Sequence, residues 1–407
     1  MIKHKMRAAG PVLVAGTGER CLSALNSRQF LTEDGAVSAQ REILVKEASL
    51  YIHWPYCLKR CSYCNFNKYI PKGDNNHIVS QCLQQEVATL LQLSQVSRVT
   101  SVFLGGGTPS LAHPSTVSDI LEAVSRQSLQ NDDLSRLGRD HSAHHALQTV
   151  EEARRLRPGK VSVDVMFGRP GQSLASWEAE LSELLQLCDD HVSLYQLTPE
   201  RGTLLFKQIR GGEVTLPGDH VMAEMYESAR RTLQRHGFEQ YEVSNFARNS
   251  EVSHHNMSYW KGRQYIGVGP GAHGRFVPLG LGGAHREART QTLEPDVWIR
   301  EVRRHGHGTR RRIQLGHLAL LEEVLVMGLR MTEGITHKHW QLFSPQLGLR
   351  DIFGSSADVQ EFFHRGQLTL DDGGLHCSRD GLALLDSMLP TLLLELERQQ
   401  TVESAKS

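Results

Sequence analysis

The chain has no run of 18 apolar residues, so no transmembrane helix or integral membrane segment is expected. It has no excess charge of either sign: 45 Lys and Arg balance 45 Asp and Glu. That balance gives no ground for a nucleic-acid partner or an anionic membrane surface. Cysteine is scarce, seven in 407 residues, without the regular pairs of a disulfide framework. Such usage suits a reducing compartment. With 39% hydrophobic and 22% charged residues, the chain has ample material for a core and a length fitting two or three domains. Acidic residues are missing from the first 18 positions, which carry Lys3, Lys5 and Arg7 and then small and apolar residues. Residues 1–47 therefore fit either a mitochondrial transit peptide or a disordered tail, with ordered structure expected from about Ala48.

Three of the few cysteines, Cys57, Cys61 and Cys64, fall within eight residues, spaced C-x3-C-x2-C. Three soft thiolates suit a [4Fe-4S] cluster and leave one iron without a protein ligand, open to a cofactor. A structural zinc site closes with four ligands, usually as two separated pairs. The remaining cysteines are isolated, and His53, the nearest histidine, lies in a strand-like stretch. An odd number of closely spaced cysteines argues against a disulfide.

The pattern around this segment alternates strand and helix. Strands are expected at Ser49–His53, Val99–Leu104, Lys160–Phe167, Val192–Gln196, Gln240–Ser244 and Gln264–Val268. Helices are expected near 77–93, 115–124, 143–156, 173–188 and 217–236. This is the signature of a parallel α/β fold, in which chemistry gathers at the C-terminal strand ends. The cysteine loop and Gly105-Gly106-Gly107-Thr108-Pro109 each follow a strand directly, so they are expected to meet on one face. This core is assigned to residues 48–300. The basic run Arg303–Arg312 reads as a solvated linker, 301–315. Residues 316–400 combine helices with a hairpin turning at Asp371-Asp372-Gly373-Gly374, a small helical, winged-helix-like domain. Acidic residues at the wing tip disfavour nucleic acid and favour a packing or lid role.

The cysteine spacing with the glycine loop resembles radical S-adenosylmethionine (SAM) proteins. Tyr241–Phe246, His255–Trp260 and Gly267–His273 narrow the resemblance to the oxygen-independent coproporphyrinogen oxidase-like branch that includes HemW-type haem chaperones. It covers roughly residues 49–390. The resemblance implies a TIM-like radical SAM barrel and SAM bound beside the cluster. Tyr51, Tyr63, Gly106, Gly107, Thr108, Gln127, Arg139 and Asp164 would contact SAM. Arg139 suits a carboxylate and Asp164 ribose hydroxyls, although alone they also read as a surface charge and a helix cap. His255 is the implied haem ligand, with Tyr259 and Trp260 available to stack on the macrocycle. The implied partners are haem and acceptor haem proteins of respiration, in mitochondria. True coproporphyrinogen dehydrogenases carry a further cysteine two residues past the third ligand. Phe66 stands there, which favours haem handling over porphyrinogen oxidation and leaves enzyme activity uncertain.

The chain also departs from the family. Two strands, one ending in Glu-x-Asn-Pro, are expected between the glycine loop and Gln127, and neither is present. Two strands and a helix amount to about 35 residues. Arg169 replaces a usually apolar residue. The expected fold is therefore an α/β partial barrel missing two central strands, in a chain that is unstable or binds SAM poorly. Three functions remain in view: haem chaperone, radical oxidoreductase acting on a porphyrinogen, and inactive isoform.

Overall fold

In the computed structural model of the protein, residues 43–127, 161–280 and 285–406 are described, apart from 72, 74 and 187. The chain first alternates faces along β1 (Glu47–Trp54). Leu50, Ile52 and Trp54 join one core with Val79, Leu83 and Val87 of α1 (Asn76–Gln92), while Ser49, Tyr51 and His53 share the other face. Parallel pairing with β2 (Arg98–Gly106) aligns Trp54 with Gly106, so both strands deliver their following loops to one edge. Helix α2 (Pro114–Gln127) follows.

A second layer opens with β3 (Ser162–Phe167), α3 (Leu174–Leu185) and β4 (His191–Gln196), then α4 (Leu204–Arg210) and α5 (Asp219–Arg235). Strand β4 lies between parallel β3 and antiparallel β6 (Asn245–Ala247), with β5 (Glu239–Glu242) outermost. The stretch expected as one strand over 240–244 is the end of β5 followed by a turn at Val243 and Ser244, and β6 begins only at Asn245. Glu242 makes the turn between them by accepting from the Ser244 backbone N–H, at 3.0 Å, and from the Asn245 side chain.

Helix α6 (His254–Trp260) leads to β7 (Gln264–Val268), which returns to pair with β1 in parallel. Strands β8 (His273–Phe276), β9 (Glu287–Gln291) and β10 (Thr309–Gln314) extend that sheet by antiparallel pairing, with α7 (Pro295–His305) between the last two. The basic run is therefore not a linker. It is the last turn of α7 and an edge strand, whose charges are tolerated because residues 310–314 are exposed on both faces. Arg312 reaches Glu287 of β9 at 2.6 Å.

The C-terminal part has its own core. Helices α8 (His317–Gly328), α9 (His337–Gln341), α10 (Leu349–Phe353) and α11 (Ala357–His364) surround a small sheet, β11 (Ile335–Thr336), β13 (Gly374–Cys377) and β12 (Leu368–Leu370). Helices α12 (Arg379–Ala383) and α13 (Leu385–Lys406) close it. Asp371 holds the hairpin by accepting from the Gly373 and Gly374 N–H groups at 2.8 and 3.2 Å. The expected helix at 143–156 lies outside the described residues.

Glu86 ties the first core together. One carboxylate oxygen accepts from the Gly269 N–H at 2.7 Å and the Trp298 indole at 3.0 Å, the other from the Gly308 N–H at 2.6 Å. Complete burial raises its pKa from 4.5 to about 7 against the pull of these donors. Between those values the folded chain binds more protons than the unfolded one, so this contribution to stability is lost as pH rises through the window. Urea midpoints measured at about pH 5 and pH 8 should differ less in Glu86→Gln than in wild type. The effect is at most on the order of 3 kcal/mol, given 1.36 kcal/mol per pKa unit.

Candidate functional site

The cysteine loop leaves β1 through Pro55, which cannot extend the ladder. The loop is then pinned at several points. Cys57 N–H donates to Tyr69 O at 3.0 Å and Tyr69 N–H to Pro55 O at 2.8 Å. Lys68 Nζ donates to Cys64 O at 2.6 Å. From the second layer, Leu205 N–H of α4 donates to Ser62 O at 2.9 Å. Cys57 is buried, Cys64 half-buried and Cys61 exposed. Burial pushes the Cys57 thiol up, Thr108 Oγ1 opposes this by donating to Sγ at 3.4 Å, and the Cys64 and Cys61 sulfurs add to the upward push. Such thiols ionise readily only beside a cation, which is what bound iron provides.

Two glycines let the second loop lie against the first. A Cβ on Gly107 would stand 2.4 Å from Tyr56 O, and one on Gly106 2.7 Å from the His53 ring; Gly106 also has φ +100°. Gly107 N–H donates to Trp54 O at 2.6 Å and Thr108 N–H to Tyr56 O at 2.8 Å. The two loops thus meet, as their positions after parallel strands lead one to expect. A single zinc ion would hold its thiolates at about 2.3 Å each. Among the described residues no three His, Cys, Asp or Glu converge to hold one ion. A cubane cluster takes its protein ligands on separate irons and accepts three thiolates, which is the donor set this loop offers.

The other sequence-derived residues sit on several elements. Tyr51, on β1, stacks on Phe103 with centroids 6.0 Å apart. Tyr63 is exposed on the cysteine loop. Asp164, half-buried on β3, acts on the phenol of Tyr195, which burial and this carboxylate push up. Gln127 ends α2, and its side chain and Arg139 lie outside the described residues.

His255 occupies the first turn of α6, with 1% exposure. Its Nδ1 lies 2.8 Å from Ser101 Oγ. Phe103 stacks on the ring at 4.6 Å and Tyr259 meets it edge-on at 4.9 Å. Burial lowers its pKa to about 3, so the imidazole is neutral. Its Nε2 is buried without a hydrogen-bond partner among the described residues. In this packing Tyr259 and Trp260 are not free to stack on a macrocycle: Tyr259 packs edge-on against Tyr265 at 4.6 Å, and Arg330 covers Trp260 at 4.6 Å. Both aromatics serve contacts between α6 and its neighbours, which their spacing in the sequence does not disclose.

His53 and Asn67 were missed as site residues. His53 Nε2 lies 2.7 Å from Asn67 O, and its Nδ1 is 3.1 Å from Tyr51 OH. The strand period was the available signal, because it puts His53 on the Tyr51 face.

The HemN C-terminal domain family matches residues 315–384. Radical S-adenosyl methionine domain-containing protein 1, mitochondrial, of Danio rerio is 61% identical over an alignment of 390 positions, taking in 86% of this chain and 88% of that protein. The heme chaperone HemW of Bacillus subtilis is 27% identical, covering 86% of this chain and all of that protein. The solved structure of coproporphyrinogen III oxidase (HemN) from Escherichia coli superposes with a TM-score of 0.66 at 16% identity, covering 92% of this chain and 95% of the other. The mixed α/β fold is that of this radical SAM enzyme.

Proposed function

The chain belongs to the radical S-adenosyl methionine domain-containing protein 1 family, and from that premise we propose that it is a mitochondrial haem chaperone carrying a [4Fe-4S] cluster and SAM. The observation that carries the reading is the meeting of the three-cysteine loop with the glycine loop at the shared end of β1 and β2. Cys57, Cys61 and Cys64 are the cluster ligands. When bound, the cluster supplies an open iron for the amine and carboxylate of SAM and a site for one electron. Thr108 donates to the Cys57 sulfur, which stabilises its thiolate. Gly106 and Gly107 keep the floor of the site free of side chains. Tyr51, Tyr63 and Asp164 are proposed SAM contacts, together with Gln127 and Arg139.

Haem is the cargo, and acceptor haem proteins are the partners to which it is passed. His255 is proposed as the haem ligand because its imidazole is neutral and Nε2 has no described partner. His255 is 1% exposed, so reaching that nitrogen requires the packing around α6 to open. Transfer also needs a surface that an acceptor can touch. Leu58, Tyr63, Ile70, Leu204 and Leu293, five of the twelve exposed large hydrophobics described, gather around the cysteine loop and supply one. Phe66, in place of a fourth nearby cysteine, weighs against porphyrinogen oxidation.

Anaerobic reconstitution with iron and sulfide, followed by haem titration, tests the reading. His255→Ala should change the haem spectrum and weaken binding about tenfold, equivalent to 1.4 kcal/mol. Unchanged spectrum and affinity would remove His255 as the ligand. Failure of the wild type to bind haem would remove the chaperone function, and turnover of coproporphyrinogen would replace it with an oxidoreductase.

A further inference from the structure

His53 has 5% exposure and uses both ring nitrogens. A backbone carbonyl only accepts, so the 2.7 Å contact with Asn67 O places the proton on Nε2. Burial keeps the ring neutral, with a pKa near 4. A neutral imidazole has one N–H, which makes Nδ1 an acceptor. The hydroxyl of Tyr51, 3.1 Å away, must then donate to it. Burial also holds that phenol in its neutral form. Its single proton is committed, and its free lone pairs can only accept.

The anchor of this relay is itself held. Asn67 Nδ2 donates to Pro270 O at 2.9 Å and to Leu293 O at 2.8 Å, fixing the segment three residues past Cys64. On the other side, a Cβ on Gly105 would lie 3.2 Å from Tyr51 OH, so this hydroxyl sits directly under the glycine loop.

We propose that His53 is a positioning residue that fixes Tyr51 as a hydrogen-bond acceptor, so that Tyr51 meets an N–H of the SAM amine and does not receive the SAM carboxylate. This rests on the SAM reading given above and adds the polarity of one contact. Lone pairs facing a carboxylate would repel it, whereas an iron-bound amine still has hydrogens to donate. Asn67 O, part of the cysteine segment, thereby sets the direction of a hydrogen bond on the cofactor side.

The test measures affinity of the reconstituted full chain for SAM and for its analogue lacking the amine. Tyr51→Phe should weaken SAM binding about tenfold and leave the analogue unchanged. His53→Leu, which frees the Tyr51 proton, should weaken SAM to a similar degree, and the double variant should be no worse than either single one. His53→Gln, with one donor and one acceptor, should restore most of the affinity. Nitrogen-15 shifts of His53 should show the Nε2–H tautomer without any cofactor. Equal loss for both ligands in Tyr51→Phe, no loss for either, or an Nδ1–H tautomer would overturn the assignment. A wild type with full iron content that binds neither ligand would instead overturn the SAM reading, and this inference with it.

Discussion

Cys57→Ala is expected to reduce iron after anaerobic reconstitution from about four per chain to near zero, because a cubane cluster held by only two thiolates is lost to solvent. Cys57 is expected to matter most among the three proposed ligands. It is the buried one, its backbone is paired to Tyr69, and Thr108 donates to its sulfur. Iron and sulfide analysis with visible absorption checks this result. The control is Cys377→Ala. That cysteine lies in the C-terminal core, and burial pushes its thiol up to about 12, so its loss should leave the iron content unchanged. Equal iron loss in both variants would show that general destabilisation, not ligation, governs the metal.

We propose that a segment is missing before Gln127, and supplying it is expected to raise SAM affinity at least tenfold and to stabilise the fold. The relative from Danio rerio aligns over 390 positions, but 86% of a 407-residue chain is only about 350 residues. About 40 positions of that alignment therefore face no residue of this chain, close to two strands and a helix. Burial on the strands beside the gap agrees. Val99, Val102 and Leu104 of β2, and Val163, Val165 and Met166 of β3, are only half-buried, whereas Leu50 and Ile52 of β1 and Val192 and Leu194 of β4 are fully buried. We read these half-buried apolar edges as positions that the supplied segment would cover. A chimaera carrying the relative's segment should show a higher urea midpoint and tighter SAM binding than the present chain. Equal midpoints and equal affinity in the two forms would show that the short chain is already complete.

What was legible in the sequence was what is local. The cysteines fall within eight residues, and the glycines are needed where the chain must approach itself, so both loops could be found without coordinates. The strand expected at Ser49–His53 is likewise present, within β1. The run Arg303–Arg312 misled because a strand with arginines at successive positions has no alternation to read. Its pairing with β9, the Arg312–Glu287 contact and the grip of Glu86 on Gly308 N–H make it a strand, and all of these are distant in sequence. The break in 240–244 depended on a turn at Val243 and Ser244 held by the Glu242 side chain, whose bonds were equally invisible.

The sequence by itself determined the donor set on which the proposed cluster rests: three cysteines with a fixed spacing, a glycine-rich loop after the next strand, and Phe66 two residues past Cys64. These are properties of residue type and short separation. Only the tertiary structure decided that His255 is sealed between Phe103 and Tyr259, that Ser62 is held from the second layer by Leu205, and that His53 links Tyr51 to Asn67. The physical reason is that burial and hydrogen-bond direction belong to pairs of groups brought together by folding, and the second member of a pair is not specified by the first.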